Sequence, residues 1–193
     1  MTNETTPHAL DKRIRKTLAA VDEAFKNLLS TTEYQKITVS AIAREANINR
    51  KTFYLHFSSV DDVLHRAVKQ TVEQVIDEVM QSCSNTNPKE LLPVLSLAIL
   101  KDLSRRPDFD ENLTQNMPFG QMLDLISTPM VECVSQSYRR LGMEPPERLN
   151  YFVACYLGVL ISALETWRRE GKKESLEDIV VCIQHLAQRL STN

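Results

Sequence analysis

Residues Thr38–Phe57, TVSAIAREANINRKTFYLHF, hold two apolar repeats at helical spacing, each only about two turns long. A helix that short is marginal in water, so neighbouring elements must hold both in place. Thr38 stands where an N-cap would accept a backbone N–H. The helix that follows, to about Ala46, would bury Val39, Ile42, Ala43 and Ala46. Asn47 comes just after the last apolar position, where a left-handed residue is usually Gly or Asn. Ile48 fills the gap, and Asn49 caps a second helix over roughly Arg50 to His56, with Phe53 and Phe57 facing inward. Arg50, Lys51, Tyr54 and His56 are then left on faces away from the core.

Two short helices across a tight turn, clamped by a long preceding helix, form a helix-turn-helix, whose second helix lies in the DNA major groove. Arg and Lys pair with guanine edges or phosphates, and Tyr, Thr and His reach phosphate oxygens. A face of that composition suits a groove better than it suits water.

The rest of the chain reads as helical too. Only four Gly and eight Pro occur in 193 residues, and alternating β-branched runs are nearly absent. A helix is expected from about Asp11 to Ser30, with Ile14, Leu18, Val21, Phe25, Leu28 and Leu29 as its stripe. Its basic start, DKRIRK, opposes the helix dipole and fits either a solvated charge run or an approach to phosphate. The preceding MTNETTPHAL has no apolar core of a secretory signal and is expected to be a disordered tail over 1–10. Ser59-x-x-Asp62 starts a helix running to about Cys83, and SNTNP follows as a linker. Further helices are expected over Lys89–Arg105 and over Phe119–Leu141, the latter kinked or restarted at Pro129. Another starts at Pro145-Pro146 and runs through Arg169, and the last starts at Ser175. Gly142 and Gly171 each follow Arg-rich last turns as stop signals. The longest apolar run, Val153–Leu164, is shorter than a bilayer span, so no membrane partner is expected.

Charge is unevenly shared. Residues 1–70 carry eleven Lys and Arg against eight Asp and Glu, while the remainder carries twelve against seventeen. A basic front and an acidic back are consistent with an anionic partner for the front. Cys83, Cys133, Cys155 and Cys182 form no CxxC pair and lie in apolar helical contexts, so they are expected to be reduced and buried in a cytoplasmic protein. The four His lack ligand spacing, and no metal or cofactor is expected. No Gly-rich phosphate loop, GxSxG or HExxH occurs, so no catalytic residue and no enzyme is expected.

Thr38 to Leu64, TVSAIAREANINRKTFYLHFSSVDDVL, resembles the signature of the TetR family of transcriptional regulators in its Thr start, Ile-Ala step, turn and Thr-Phe-Tyr-x-His-Phe run. The segment from Gly158 through TWRREGKKESLEDI resembles the carboxy-terminal domain of a TetR subgroup. Two departures stand out. Asn47 replaces the usual turn Gly, and Val60, followed by Asp61 and Asp62, replaces a Lys that commonly contacts phosphate. Loss of that contact is expected.

The resemblance implies an all-α chain of about nine helices: a three-helix DNA-binding domain over 11–66, a linking helix over 59–83, and a helical ligand-binding and dimerisation domain over 67–193. It implies double-stranded DNA as partner, with Thr38, Ser40, Asn49, Arg50, Lys51, Thr52, Tyr54 and His56 in contact. Arg50, Lys51 and Thr52 are expected on base edges, and Tyr54 and His56 on phosphates. It further implies a homodimer built on the last two helices, for which Ala154, Gly158, Ser162, Ile179, Ile183 and Leu186 are candidates. A small-molecule effector of unspecified identity would bind the second domain, with Phe119, Met122, Tyr138, Tyr156 and Trp167 as candidate lining. A repressor released by that effector is the expected mode. The alternative is an activator, or a helical adaptor answering to a protein effector, which DNA binding by the pure protein distinguishes.

Overall fold

The computed structural model describes residues 7–82, 98, 112–113 and 117–191. Among them are seven α-helices and no strand: α1 Pro7–Leu29, α2 Val39–Glu45, α3 Arg50–Tyr54, α4 Val60–Ser82, α5 Phe119–Arg140, α6 Leu149–Arg169 and α7 Leu176–Ser191. The helix expected over Lys89–Arg105 and the SNTNP linker lie outside the described residues. The chain divides into two compact units. The first holds the described residues up to Ala67 together with 112–113, and the second holds those from Val68 onward.

In the first unit, α1 begins at Pro7, four residues before the expected start, so the end of the expected tail is helical. Proline is well suited to a first turn, where its missing N–H has no helical partner to lose. Val21, Ala24, Phe25 and Leu29 of α1 are buried with Ile42 and Ala43 of α2, Phe53 of α3, Phe57, and Val63, Leu64 and Ala67 of α4. Val39 and Ala46, expected inside, are only half-buried, because a helix as short as α2 buries a single narrow stripe. Asn112 donates its side-chain amide to the Leu29 carbonyl at 2.9 Å, satisfying an orphan acceptor at the end of α1. Arg66 of α4 reaches Asp22 of α1, Nε 3.2 Å from both carboxylate oxygens, and so ties the two long helices together.

The second unit is a bundle of longer helices. Its core joins Val72, Ile76 and Val79 of α4, Met130, Cys133 and Val134 of α5, Val153, Leu157 and Leu160 of α6, and Val180 and Ile183 of α7. Pro129 is buried inside a continuous α5 and neither ends it nor restarts it. The next helix starts at Leu149, three residues beyond Pro146, whose carbonyl accepts the Leu149 N–H at 3.1 Å. Gly142 (φ 71°) and Gly171 (φ 84°) close α5 and α6 in the left-handed conformation that both stop signals require.

One expectation changes here. Cys133 is buried, but Cys155 and Cys182 are exposed, on the open faces of α6 and α7. The apolar stretch around Val153–Leu164 belongs to a 21-residue helix that is long and apolar enough to cross a membrane. Leu149, Val153, Leu157, Leu160 and Ile161 of that helix are buried in the chain's own core.

Candidate nucleic-acid interface

The helix-turn-helix is held by local rules that can be read residue by residue. Thr38, extended at φ −120°, accepts the Ala41 N–H on its hydroxyl at 3.2 Å and starts α2. Asn47 adopts φ 52°, and the chain reverses there as Ile48 donates to the Ala43 carbonyl at 2.9 Å. Asn49 then accepts the Thr52 N–H at 2.7 Å and starts α3. Two of the expected DNA contacts, Thr38 and Asn49, thus commit their side-chain acceptors to capping. Ser40 is exposed on α2.

Helix α3 is anchored by aromatic packing. Phe53 is fully buried, Phe57 nearly so, and their ring centroids lie 5.4 Å apart. The edge of Tyr54 meets the Phe53 ring at 5.6 Å between centroids. Arg50 and Lys51 are exposed, Tyr54 is half exposed, and Thr52 and His56 are half-buried. The Arg50 guanidinium lies 5.9 Å over the Tyr54 ring, so this cation and this hydroxyl form one flank of the helix. Exposed Arg44 of α2 adds a third cation. The helix ends at Tyr54, two residues before the expected His56, and Leu55 is its C-cap. Leu55 is 71% exposed, and the sequence reading passed over it. Counting 100° per residue from Phe53 and Phe57 would have found it.

At the start of α4 both acids, Asp61 and Asp62, have structural partners. Asp62 accepts the Ser58 N–H at 2.8 Å and the Ser58 hydroxyl at 2.5 Å, and Ser59 accepts the Asp62 N–H at 3.1 Å. The Ser58 hydroxyl and N–H hold the Asp62 carboxyl below the usual carboxylate range. The Tyr34 hydroxyl donates to Asp61, and partial burial, with that carboxylate, pushes the phenol well above its ordinary range. Val60 is half-buried.

Residues 23–67 match the family model for bacterial regulatory proteins of the tetR family. The match falls on the segment that holds the helix-turn-helix. An uncharacterized HTH-type transcriptional regulator, YxbF of Bacillus subtilis, is 31% identical over 101 residues, which make up 51% of this chain and 26% of that protein. The chain therefore spans about a quarter of the length of that curated relative. A TetR transcriptional regulator from Rhodococcus sp. RHA1 has the same fold, with TM-score 0.63 and 17% identity over 94% of this chain and 98% of that one. So does the FadR regulator from Bacillus subtilis in complex with stearoyl-CoA, with TM-score 0.56 and 16% identity over 87% and 96%. The curated relative and both fold neighbours are transcriptional regulators, and the family match coincides with the helix-turn-helix of this chain.

The other candidate residues scatter over the second unit. Met122 is buried, Tyr138 and Tyr156 pack half-buried against the core, and Phe119 is 40% exposed. Trp167, in the last turn of α6, is tied to the segment that follows: its indole N–H donates to the Glu174 carbonyl at 2.8 Å, with the Lys172 ammonium 5.6 Å over its ring. A shallow groove of about 160 Å³ opens between α4 and α5, lined by Glu73, Ile76, Asp77, Cys133, Gln136 and Arg140. None of the five candidate lining residues reaches it. Burial pushes the Cys133 thiol there up to about 11, so it stays protonated and unreactive at neutral pH. Among the described residues no three His, Cys, Asp or Glu come together to hold a metal.

The candidate dimer residues divide as well. Ile183 is buried in the chain's own core at 6% exposure, Ile179 packs half-buried against it, and Leu186 lies in α7 with its side chain outside the described residues. Ala154 and Gly158 are half-buried, and Ser162 is exposed. The nearest atom to a Cβ at Gly158 would be Phe119 Cζ at 3.9 Å, within the same chain. The open apolar face lies one step round the helix, at Tyr151 (67% exposed), Phe152 (60%), Cys155 and Val159, with Val181 and Cys182 on α7.

Proposed function

We propose that this chain is a cytoplasmic repressor that binds a palindromic operator as a homodimer and leaves it when a small molecule occupies its second unit, residues 67–193. The observation that carries the reading is the outward face of α3, where Arg50, Lys51 and Tyr54 are exposed on a helix too short to stand alone. Lys51 and Arg50 face base edges with Thr52, and Tyr54 and His56 bind phosphates. Thr38, Ser40 and Asn49 set the approach of the two helices to the backbone.

Dimerisation is supported by the exposed Tyr151, Phe152, Val159 and Val181, since large apolar side chains on two adjacent helices gain from being covered. A two-fold dimer presents two recognition helices to half-sites about 34–36 Å apart. For the effector, stearoyl-CoA, held by the fold neighbour from Bacillus subtilis, is the first compound to try.

Selection of bound sequences from random DNA with the purified protein tests the proposal. An enriched inverted repeat with that spacing is expected. A pool that stays random would sink the reading. Stearoyl-CoA titrated into the selected complex then tests release by an acyl-CoA.

A further inference from the structure

We propose that Leu55 is a specificity-determining residue that reads thymine through its 5-methyl group. The proposal rests on the DNA-binding reading of α3 and deepens it. Phe53 and Phe57 mark the buried side of the helix, and Leu55 lies two residues from each, about 200° round the axis from both. Its backbone N–H donates to the Lys51 carbonyl at 3.2 Å, so the helical path continues through it and Lys51 lies one turn earlier on the same face. Arg50 and Tyr54 occupy one flank and half-buried Thr52 and His56 the other, which leaves Lys51 and Leu55 at the centre.

A single exposed Leu is ordinary on a protein surface. This one is the most exposed large apolar side chain among the described residues. Among the described residues of the first unit, only its neighbour Tyr54 shares that state. Nothing in the helix-turn-helix needs it for packing. In the major groove, cations and amides read hydrogen-bonding edges, whereas the thymine methyl is read by apolar contact. Four residues of helix span about 6 Å, so the thymine lies within about two base pairs of the pair read by Lys51.

The test uses the full chain and its selected operator, with each thymine replaced in turn by deoxyuridine, which lacks only the methyl group. The wild-type protein should lose about fourfold in affinity at one position, the worth of one buried methyl-sized group. Leu55→Ala should bind the natural site about fourfold more weakly and be indifferent to uracil at that position. An unchanged melting curve is expected for the variant, since the side chain is solvent-facing. Wild-type indifference to every replacement, or full discrimination retained by Leu55→Ala, overturns the proposal. The wild-type series needs no variant and stands even if Leu55→Ala misfolds. Failure to enrich any sequence would instead sink the DNA-binding reading, so the two failures are distinct.

Discussion

The free side of the first unit carries Arg50, Lys51 and Tyr54 on a five-residue helix, while the free side of the second carries Tyr151, Phe152, Val159 and Val181 on long ones. The two surfaces ask for different partners. A cationic, hydrogen-bonding face on a helix that packing alone sustains suits a rigid polyanion with a groove. An apolar face on helices that already have a core suits another protein surface, and a second copy of the chain is self-complementary by symmetry. Substitutions that damage one surface and spare the other test whether this division is correct.

The largest effect belongs to Phe53→Ala. The ring is fully buried and stacks on Phe57, so its loss should cost about 3–5 kcal/mol in the first unit's stability. Denaturant unfolding and DNA binding should both suffer, whereas sedimentation should still report a dimer. Loss of dimerisation as well would mean that the units do not stand apart.

The converse substitution is Phe152→Glu. It puts a charge on the apolar face without touching the buried stripe, and should cost about 2 kcal/mol or more of association. Folded monomer with weaker operator binding is the expected result. Gly158→Leu sharpens the point: a Cβ there meets Phe119 Cζ of the same chain at an ordinary 3.9 Å, so the fold should tolerate the change and the dimer should persist. A dimeric Phe152→Glu would move the seam elsewhere.

On the DNA side, Lys51→Ala should cost about 1–3 kcal/mol and relax preference at one base position. Tyr54→Phe should weaken all sequences alike, because a phosphate contact carries no base information. Unchanged sequence logos for Lys51→Ala would remove it from the base-reading set.

These expectations differ in how legible they were. Thr38, Asn47 and Asn49 could be read as two caps and a left-handed turn because those rules act within four residues. The face of α6 could not. Its residues are apolar nearly all round, so periodicity cannot say which side the chain's own core takes, and the structure gives that side to Leu149, Val153, Leu157, Leu160 and Ile161. Ile183 is buried in the chain's own core, and in sequence an inward stripe and a partner-facing stripe look alike. Leu55 is absent from the sequence expectations, because a single apolar residue beside buried Phe53 and Phe57 does not announce its exposure until the helix phase is counted. Asp61 and Asp62 were judged by charge, while their partners Tyr34 and Ser58 became visible only in three dimensions.

A smaller effect is expected at Asp62. Its carboxylate is held below the usual range by Ser58, so its stabilisation is present above that range and fades as pH falls through the lowered value. Asp62→Asn should lower the melting temperature slightly at pH 7, and the gap from wild type should close at strongly acid pH. A gap that is constant with pH would assign the effect to shape rather than charge.

The smallest expected effect is a gain. Val60 stands where the tetR signature that this segment resembles commonly has a phosphate-contacting Lys, and it is only half-buried, so a longer side chain has a route to solvent. Asp61 and Asp62 are engaged by Tyr34 and Ser58, which orients both carboxylates toward their own chain. A Lys at position 60 would still start α4, though a cation there opposes the helix dipole and should cost a few tenths of a kcal/mol in stability. Val60→Lys is therefore expected to add one phosphate contact, tighten binding to any DNA sequence, and steepen the log–log salt slope by about one unit. Because the contact is sequence-blind, the selected-site logo should stay as it was. A steeper slope with an altered logo would mean that the recognition helix has been re-aimed, and an unchanged slope would mean that the docking angle keeps position 60 off the backbone.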